Sequence, residues 1–223
     1  MKLYMHPISV TSRPVVLFVA ENKVKADQQV VNLAAGEHMQ PAYAAINRSQ
    51  LVPVLEDGDF RLTESSAILK YLADKFDLPS YPKDLKKRAR VNEMMDWLNT
   101  QFYRDWGYGL CYPQIFPGHK RRSDEAQAAT LESAKRNSER WLKVLNDWIG
   151  PKNAYLCGNE ITIADYFGSI LVSLGDAIRV DFNKYPNIAR WLGNMRKLKS
   201  WDKVNEVFSG FAASLKDKRF ETI

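Results

Sequence analysis

Leu51-Val52-Pro53-Val54-Leu55-Glu56-Asp57-Gly58-Asp59-Phe60-Arg61-Leu62-Thr63-Glu64-Ser65-Ser66-Ala67-Ile68 decides how the rest of the chain is read. Asp57-Gly58 lies between two β-prone runs, Val52–Glu56 and Phe60–Thr63. Asp-Gly adopts the positive backbone angles of a tight turn, so the pair predicts a hairpin. Ser65–Phe76 follows as a helix, with Ile68, Leu69 and Leu72 on one face.

Upstream, Lys2–Met5 reads as a strand and Gln28–Leu33 as a second. Between them Pro14–Glu21 is apolar nearly all round, a pattern that periodicity alone does not assign. Ser12 with Pro14 close behind marks a helix start, so a helix is expected there. Gln40–Ile46 is a short helix or turn. The order is β-α-β, a loop, then β-β-α: a βαβ unit with an appended hairpin.

Downstream the pattern becomes helical. Asp77-Leu78-Pro79-Ser80-Tyr81-Pro82 carries two prolines and reads as a linker. Helices are expected over Lys86–Trp106, Asp124–Ile149, Thr162–Ile178, Pro186–Leu198 and Trp201–Leu215. Thr162 and Asp165 form a variant capping box, with Ile161 placed to staple the same turn. The expected domains are 1–77, of α/β type, and 86–223, all helical.

The bulk numbers exclude several classes. The chain has 223 residues, 45% of them hydrophobic, and a formal net charge of +6. No apolar run reaches the ~18 residues of a membrane span. Met1-Lys2-Leu3-Tyr4 opens without the apolar stretch of a secretory signal. Cys111 and Cys157 are the two cysteines and form no CxxC pair, which suits free thiols in a reducing compartment. A cytoplasmic protein without a membrane partner is expected. The basic clusters Lys83–Arg90 and His119–Arg122 lack interleaved stacking aromatics, so no nucleic-acid partner is expected. His6, His38 and His119 are the only histidines, and no metal-ligand spacing recurs.

The segment Leu51–Leu55, the Asp57-Gly58 turn and Leu62-Thr63-Glu64-Ser65-Ser66-Ala67-Ile68 together resemble the glutathione-binding core of cytosolic glutathione transferases. Leu3-Tyr4-Met5-His6-Pro7-Ile8-Ser9, with Arg13 four residues on, is similar to the first strand and catalytic loop of the serine-type classes, theta, delta and phi. Ile161-Thr162-Ile163-Ala164-Asp165 resembles the capping motif of the family's helical domain. The resemblance spans essentially the whole chain. It implies a thioredoxin-like N-terminal domain and a C-terminal helical bundle, with glutathione as co-substrate, no metal and a homodimer.

Such an enzyme must grip the two carboxylates and the amine of glutathione, clamp its backbone, and place a donor beside its sulfur. A thiol of pKa about 8.5 is only a few per cent ionised at neutral pH. Lowering that value by ~2 units requires about 2.7 kcal/mol of preference for the thiolate. One hydroxyl and a helix N-terminus supply energies on that scale.

Ser9, between the first strand and helix, is the candidate donor. A turn or capping serine is the plainer reading. Thr11 and Ser12 compete with it, as does Tyr4 at the end of the strand. The resemblance implies that Val52-Pro53, with its proline cis, clamps the cysteinyl backbone. It implies that Glu64 binds the γ-glutamyl ammonium and Ser65 the adjacent carboxylate. His38 matches a histidine that approaches the glycyl carboxylate, with Met39 at the neighbouring family position. Leu51 stands where these classes often carry Lys or Gln, so the glycyl end falls to His38, Gln50 or Arg48.

A pocket between the domains is expected to take a small hydrophobic electrophile, lined by the first bundle helix, in a region crowded by Phe102, Tyr103, Trp106, Tyr108 and Tyr112, of which Tyr103, Trp106 and Tyr112 are the candidate lining. Glutathione transfer is the leading activity. Dehalogenation, isomerisation or peroxide reduction on the same site, and a non-catalytic binding module, are the alternatives.

Overall fold

The structure is a computed structural model that describes residues 1–223. Successive residues of a strand face opposite sides of the sheet, and this builds the first layer. In β1 (Lys2–Met5), Leu3 and Met5 enter the main core with α1 (Ser12–Glu21) and α3 (Ser65–Lys75). Tyr4 turns the other way and meets Tyr43 of the short α2 (Pro41–Ala44) edge-on, 6.3 Å between ring centres. The remaining strands are β2 (Asp27–Val30), β3 (Val54–Asp57) and β4 (Phe60–Leu62), in the order β2-β1-β3-β4. β1 is parallel to β2 and antiparallel to β3, which pairs antiparallel with β4. A parallel pair needs a crossover, and α1 supplies it. The expected hairpin forms, but its two turn residues are Gly58 and Asp59: Asp57 closes β3 opposite Phe60, and Gly58 alone has a positive φ, +65°.

Ser12 to Val19 of α1 are all buried. One side of the helix packs on α3, the other on α7 (Ile163–Ser173) and α9 (Trp201–Ser214) of the helical layer. That double cover is why its sequence is apolar all round. Pro14 sits in the first turn, where its missing N–H costs nothing.

The helical layer begins with α4 (Leu85–Trp97), capped by Asp84, whose carboxylate accepts the Lys87 N–H at 2.9 Å. Winding does not stop at Trp106. It runs through π-helical turns, Leu98–Phe102 and Arg104–Cys111, into α5 (Tyr112–Ile115). α6 (Asp124–Ile149) matches its expected span. Ser123 Oγ accepts the Ala126 N–H at its start, and Gly150 follows its end at φ +64°. α7 (Ile163–Ser173), α8 (Pro186–Met195) and α9 (Trp201–Ser214) complete the layer, each ending short of its expected limit.

Asp165 ties this layer together. Its fully buried carboxylate accepts the Thr162 N–H (2.7 Å), the Thr162 hydroxyl (2.9 Å), the Leu156 N–H (2.8 Å) and the Trp191 indole N–H (2.9 Å). Burial lifts its pKa to about 6 against the pull of those donors. The core runs on between the layers without a break, and Phe18 of α1 meets Tyr166 of α7 at 5.2 Å.

Candidate functional site

The loop between β1 and α1 is a closed web of short-range hydrogen bonds. The Ser9 N–H donates to His6 O (3.0 Å) and the Arg13 N–H to Ser9 O (3.1 Å). The Ile8 N–H donates to His6 Nδ1 at 3.2 Å, so that nitrogen is an unprotonated acceptor. Burial lowers the His6 pKa, in keeping with this. Ser9 Oγ accepts the Ser12 N–H at 3.1 Å. The free first turn of α1 is therefore capped from Ser9. Ser12, expected as a cap, lies fully buried inside the helix and accepts the His6 N–H at 3.4 Å.

A second set of bonds joins this loop to the segment before β3. The Thr11 hydroxyl donates to Val52 O at 2.9 Å and lies 3.1 Å from Ser9 Oγ. The Val52-Pro53 peptide is cis. Just before it, Leu51 O accepts both the Tyr43 hydroxyl and the Asn47 amide, each at 2.8 Å. Burial pushes the Tyr43 phenol up to about 12, so it stays a donor. Gln50 in turn donates its amide to Met39 O at 3.1 Å, beside His38. Thus Ser9, Thr11, Val52, Leu51, Gln50 and the 38–39 turn form one continuous rim. Met39 and Leu51 present apolar side chains on it, 58% and 57% exposed. Arg48 is exposed, and His38 is half-buried with its Nδ1 unpartnered.

Glu64 and Ser65 stand where the hairpin meets α3. Glu64 has φ +63°, an arrangement that costs roughly 1–3 kcal/mol in a non-glycine residue. It leaves the carboxylate exposed while Ser65 is buried at the helix N-terminus. Peptide N–H groups at such a terminus favour anions. Tyr4 packs against Tyr43 on the α2 side of the sheet.

The expected wall of aromatic rings is present in a different register. Tyr103 and Tyr112 are buried and share a hydroxyl–hydroxyl hydrogen bond. Trp106, expected beside them, is fully buried in the helical core, where its indole N–H donates to Leu171 O at 2.8 Å. Its ring leans so closely on Gly175 that a Cβ there would come within 2.6 Å. Tyr108 is the ring that emerges, 46% exposed and 5.1 and 5.2 Å from the Tyr103 and Tyr112 ring centres. Burial raises the Tyr108 pKa, and the Glu64 charge adds to the rise. The π-winding causes the shift. An α-helix stacks residues three and four apart, whereas the i→i+5 bonds of a π-turn set residue 108 over residue 103.

Arg13 lies beneath the loop, wholly buried. Its Nη1 donates to Asn205 Oδ1 at 2.6 Å and its guanidinium stacks 3.9 Å above Phe208. Nε and Nη2 have no partner within the protein. Burial lowers the Arg13 pKa to about 9, which keeps it cationic at neutral pH. Tyr43 and Asn47 are members of the rim to which no spacing in the sequence points, whereas Tyr108 is one of the aromatics the sequence crowds into this region.

Two family models match the chain: "Glutathione S-transferase, N-terminal domain" over residues 1–74, and "Glutathione S-transferase, C-terminal domain" over residues 110–199. Human glutathione S-transferase theta-1 is 33% identical over 195 residues, which is 86% of this chain and 80% of that protein. Human glutathione S-transferase theta-2B is 28% identical across 100% of this chain and 91% of its own. Among solved structures, a delta-class glutathione transferase of Nilaparvata lugens aligns with a TM-score of 0.80 at 31% identity, over 96% of this chain and 98% of that one. Human glutathione transferase theta-2, in complex with glutathione and an unknown ligand, aligns with a TM-score of 0.86 at 26% identity, over 100% and 93%.

Proposed function

The chain belongs to the glutathione S-transferase family, and from that premise we propose that Ser9 is the donor that holds the glutathione thiolate. The observation that carries this reading is the rim itself. The Ser9 hydroxyl lies one side chain away from the Val52 carbonyl through Thr11. In the extended antiparallel clamp that the family relationship implies, that carbonyl faces the cysteinyl backbone, so the sulfur would lie beside Ser9.

The chemistry is transfer of the glutathione sulfur. The thiol gives its proton to water, and the thiolate is held by the Ser9 hydroxyl at the N-terminus of α1. The thiolate then attacks an electrophilic carbon and a C–S bond forms; in a substitution the bond to the leaving group breaks and its electron pair departs with it, and in an addition the neighbouring carbon of the double bond takes a proton from water. Glu64 binds the γ-glutamyl ammonium and Ser65 the neighbouring carboxylate. His38 and Gln50, with Arg48 and the apolar Met39 and Leu51 around them, receive the glycyl end. The electrophile is small and hydrophobic and sits against Tyr108, whose ring is backed by Tyr103 and Tyr112.

Two domains, 1–77 for glutathione and 86–223 for the electrophile, fit this division of labour. A homodimer is proposed from family membership, and exposed apolar side chains such as Phe60, Phe76 and Leu85 suit a partner surface. Two free thiols fit a cytoplasmic location.

The test is the thiolate absorbance of bound glutathione titrated against pH, with turnover measured beside it. The bound thiol is expected to ionise below its solution value. Ser9→Ala should lower turnover about tenfold or more, which corresponds to ~1.4 kcal/mol or more of transition-state free energy. A titration midpoint equal to that of free glutathione, in a protein that still binds it, would falsify the assignment.

A further inference from the structure

We propose that Thr11 is a positioning residue that competes with the bound thiolate for the single hydrogen of Ser9, and so limits how acidic the bound thiol becomes. The inference rests on the Ser9 reading above and follows from counting hydrogens. A hydroxyl has one hydrogen to give. Thr11 gives its own to Val52 O at 2.9 Å, because a carbonyl oxygen only accepts. The 3.1 Å contact between Ser9 Oγ and Thr11 Oγ1 therefore runs one way, with Ser9 as donor.

The Ser9 oxygen is held in place meanwhile by the Ser12 N–H at 3.1 Å. The oxygen stays where it is and only its hydrogen turns, from Thr11 toward the sulfur. The exchange favours the thiolate, since a hydrogen bond to an ion is about twice as strong as a neutral one. The neutral bond given up is subtracted from that gain. Without an acceptor at position 11, the subtraction disappears.

Thr11→Val keeps the branched shape and removes the hydroxyl. A neutral hydrogen bond contributes net about 1 kcal/mol, which at 1.36 kcal/mol per tenfold is about fivefold in the ionisation constant of the bound thiol. The titration midpoint of bound glutathione is therefore expected to fall by about 0.7 unit in Thr11→Val. Thr11→Ser, which restores the hydroxyl, should titrate like the wild type. KM for glutathione should stay within about twofold, because the other contacts of the rim remain. In a Ser9→Ala background Thr11→Val should do nothing. Thr11→Ala provides the same comparison should the valine variant fold poorly.

A midpoint that is unchanged or raised in both Thr11→Val and Thr11→Ala overturns the proposal. So does a Thr11→Val effect that survives in Ser9→Ala. A Ser9→Ala midpoint equal to the wild type is a different failure: it removes Ser9 as the donor and the Thr11 role with it. A lower melting temperature with no change in midpoint assigns Thr11 a structural role alone and equally overturns the proposal.

Discussion

Gly107→Ala is the substitution that probes the register of the aromatic wall. A Cβ at residue 107 would lie 2.3 Å from Tyr103 Cε2 and 2.4 Å from Cδ2. Carbon atoms in contact sit roughly 3.5–4.0 Å apart, so the ring must move by more than about 1 Å. It has little room, being buried between Tyr108 and Tyr112 with its hydroxyl bound to that of Tyr112. Forced overpacking costs roughly 1–3 kcal/mol. Losing the partner of a buried hydroxyl costs about 1–3 kcal/mol more. Alanine returns up to about 1 kcal/mol of helix propensity. The net expectation is a loss of about 1–5 kcal/mol, near 3 at the centre. In a chain of this size that lowers the melting temperature by roughly 6–12 °C, at about 2–4 °C per kcal/mol. Calorimetry and urea unfolding read the change, and electrophile KM reads the displaced rings. Gly193 and Gly210 are the controls: both are helical and a Cβ at either meets nothing within 4 Å. Alanine there should stabilise by up to about 1 kcal/mol. If Gly107→Ala behaves as those two do, the close stacking of Tyr103 on the π-turn is wrong.

Asp165→Ala strips one acceptor from four buried donors. It should cost about 4 kcal/mol or more, with four orphaned donors at ~1–3 each, and Asp165→Asn should recover only part. A loss below ~1 kcal/mol in urea unfolding would remove Asp165 as the tie of the helical layer. His6 bears on the acid stability of the loop between β1 and α1. Its pKa is lowered in the folded protein by burial. As pH falls below the unfolded value of about 6.5, the unfolded chain takes the proton first. The stability is therefore present above that value and is lost as pH falls toward the folded one. His6→Asn keeps an acceptor for the Ile8 N–H and does not titrate, so between pH 7 and 5 it should lose stability less steeply than the wild type. Parallel stability curves would show that His6 contributes nothing to the acid response.

Much of this protein is determined by neighbours in the chain. Gly58 sets the hairpin because the first turn position has a positive φ, which glycine takes without strain. Ser123 and Gly150 bracket α6, and Thr162 with Asp165 opens α7, because caps act across one turn. The Ser9 loop is found between a strand and a helix for the same reason. The tertiary structure decided what no local signal carries. Thr11 meets a carbonyl 41 residues away, and Arg13 an amide 192 residues away. The aromatic wall marks the boundary between the two. A spacing of 3.6 residues sends Trp106 toward the pocket with Tyr103. The winding of residues 104–111 is instead i→i+5, and it packs Gly109 against Ala134 of α6, where a Cβ would come within 2.7 Å. Tyr108 then takes the exposed place and Trp106 the core. Apolar spacing records which residues prefer burial; the pitch of the helix, set by what packs against it, decides which of them are buried.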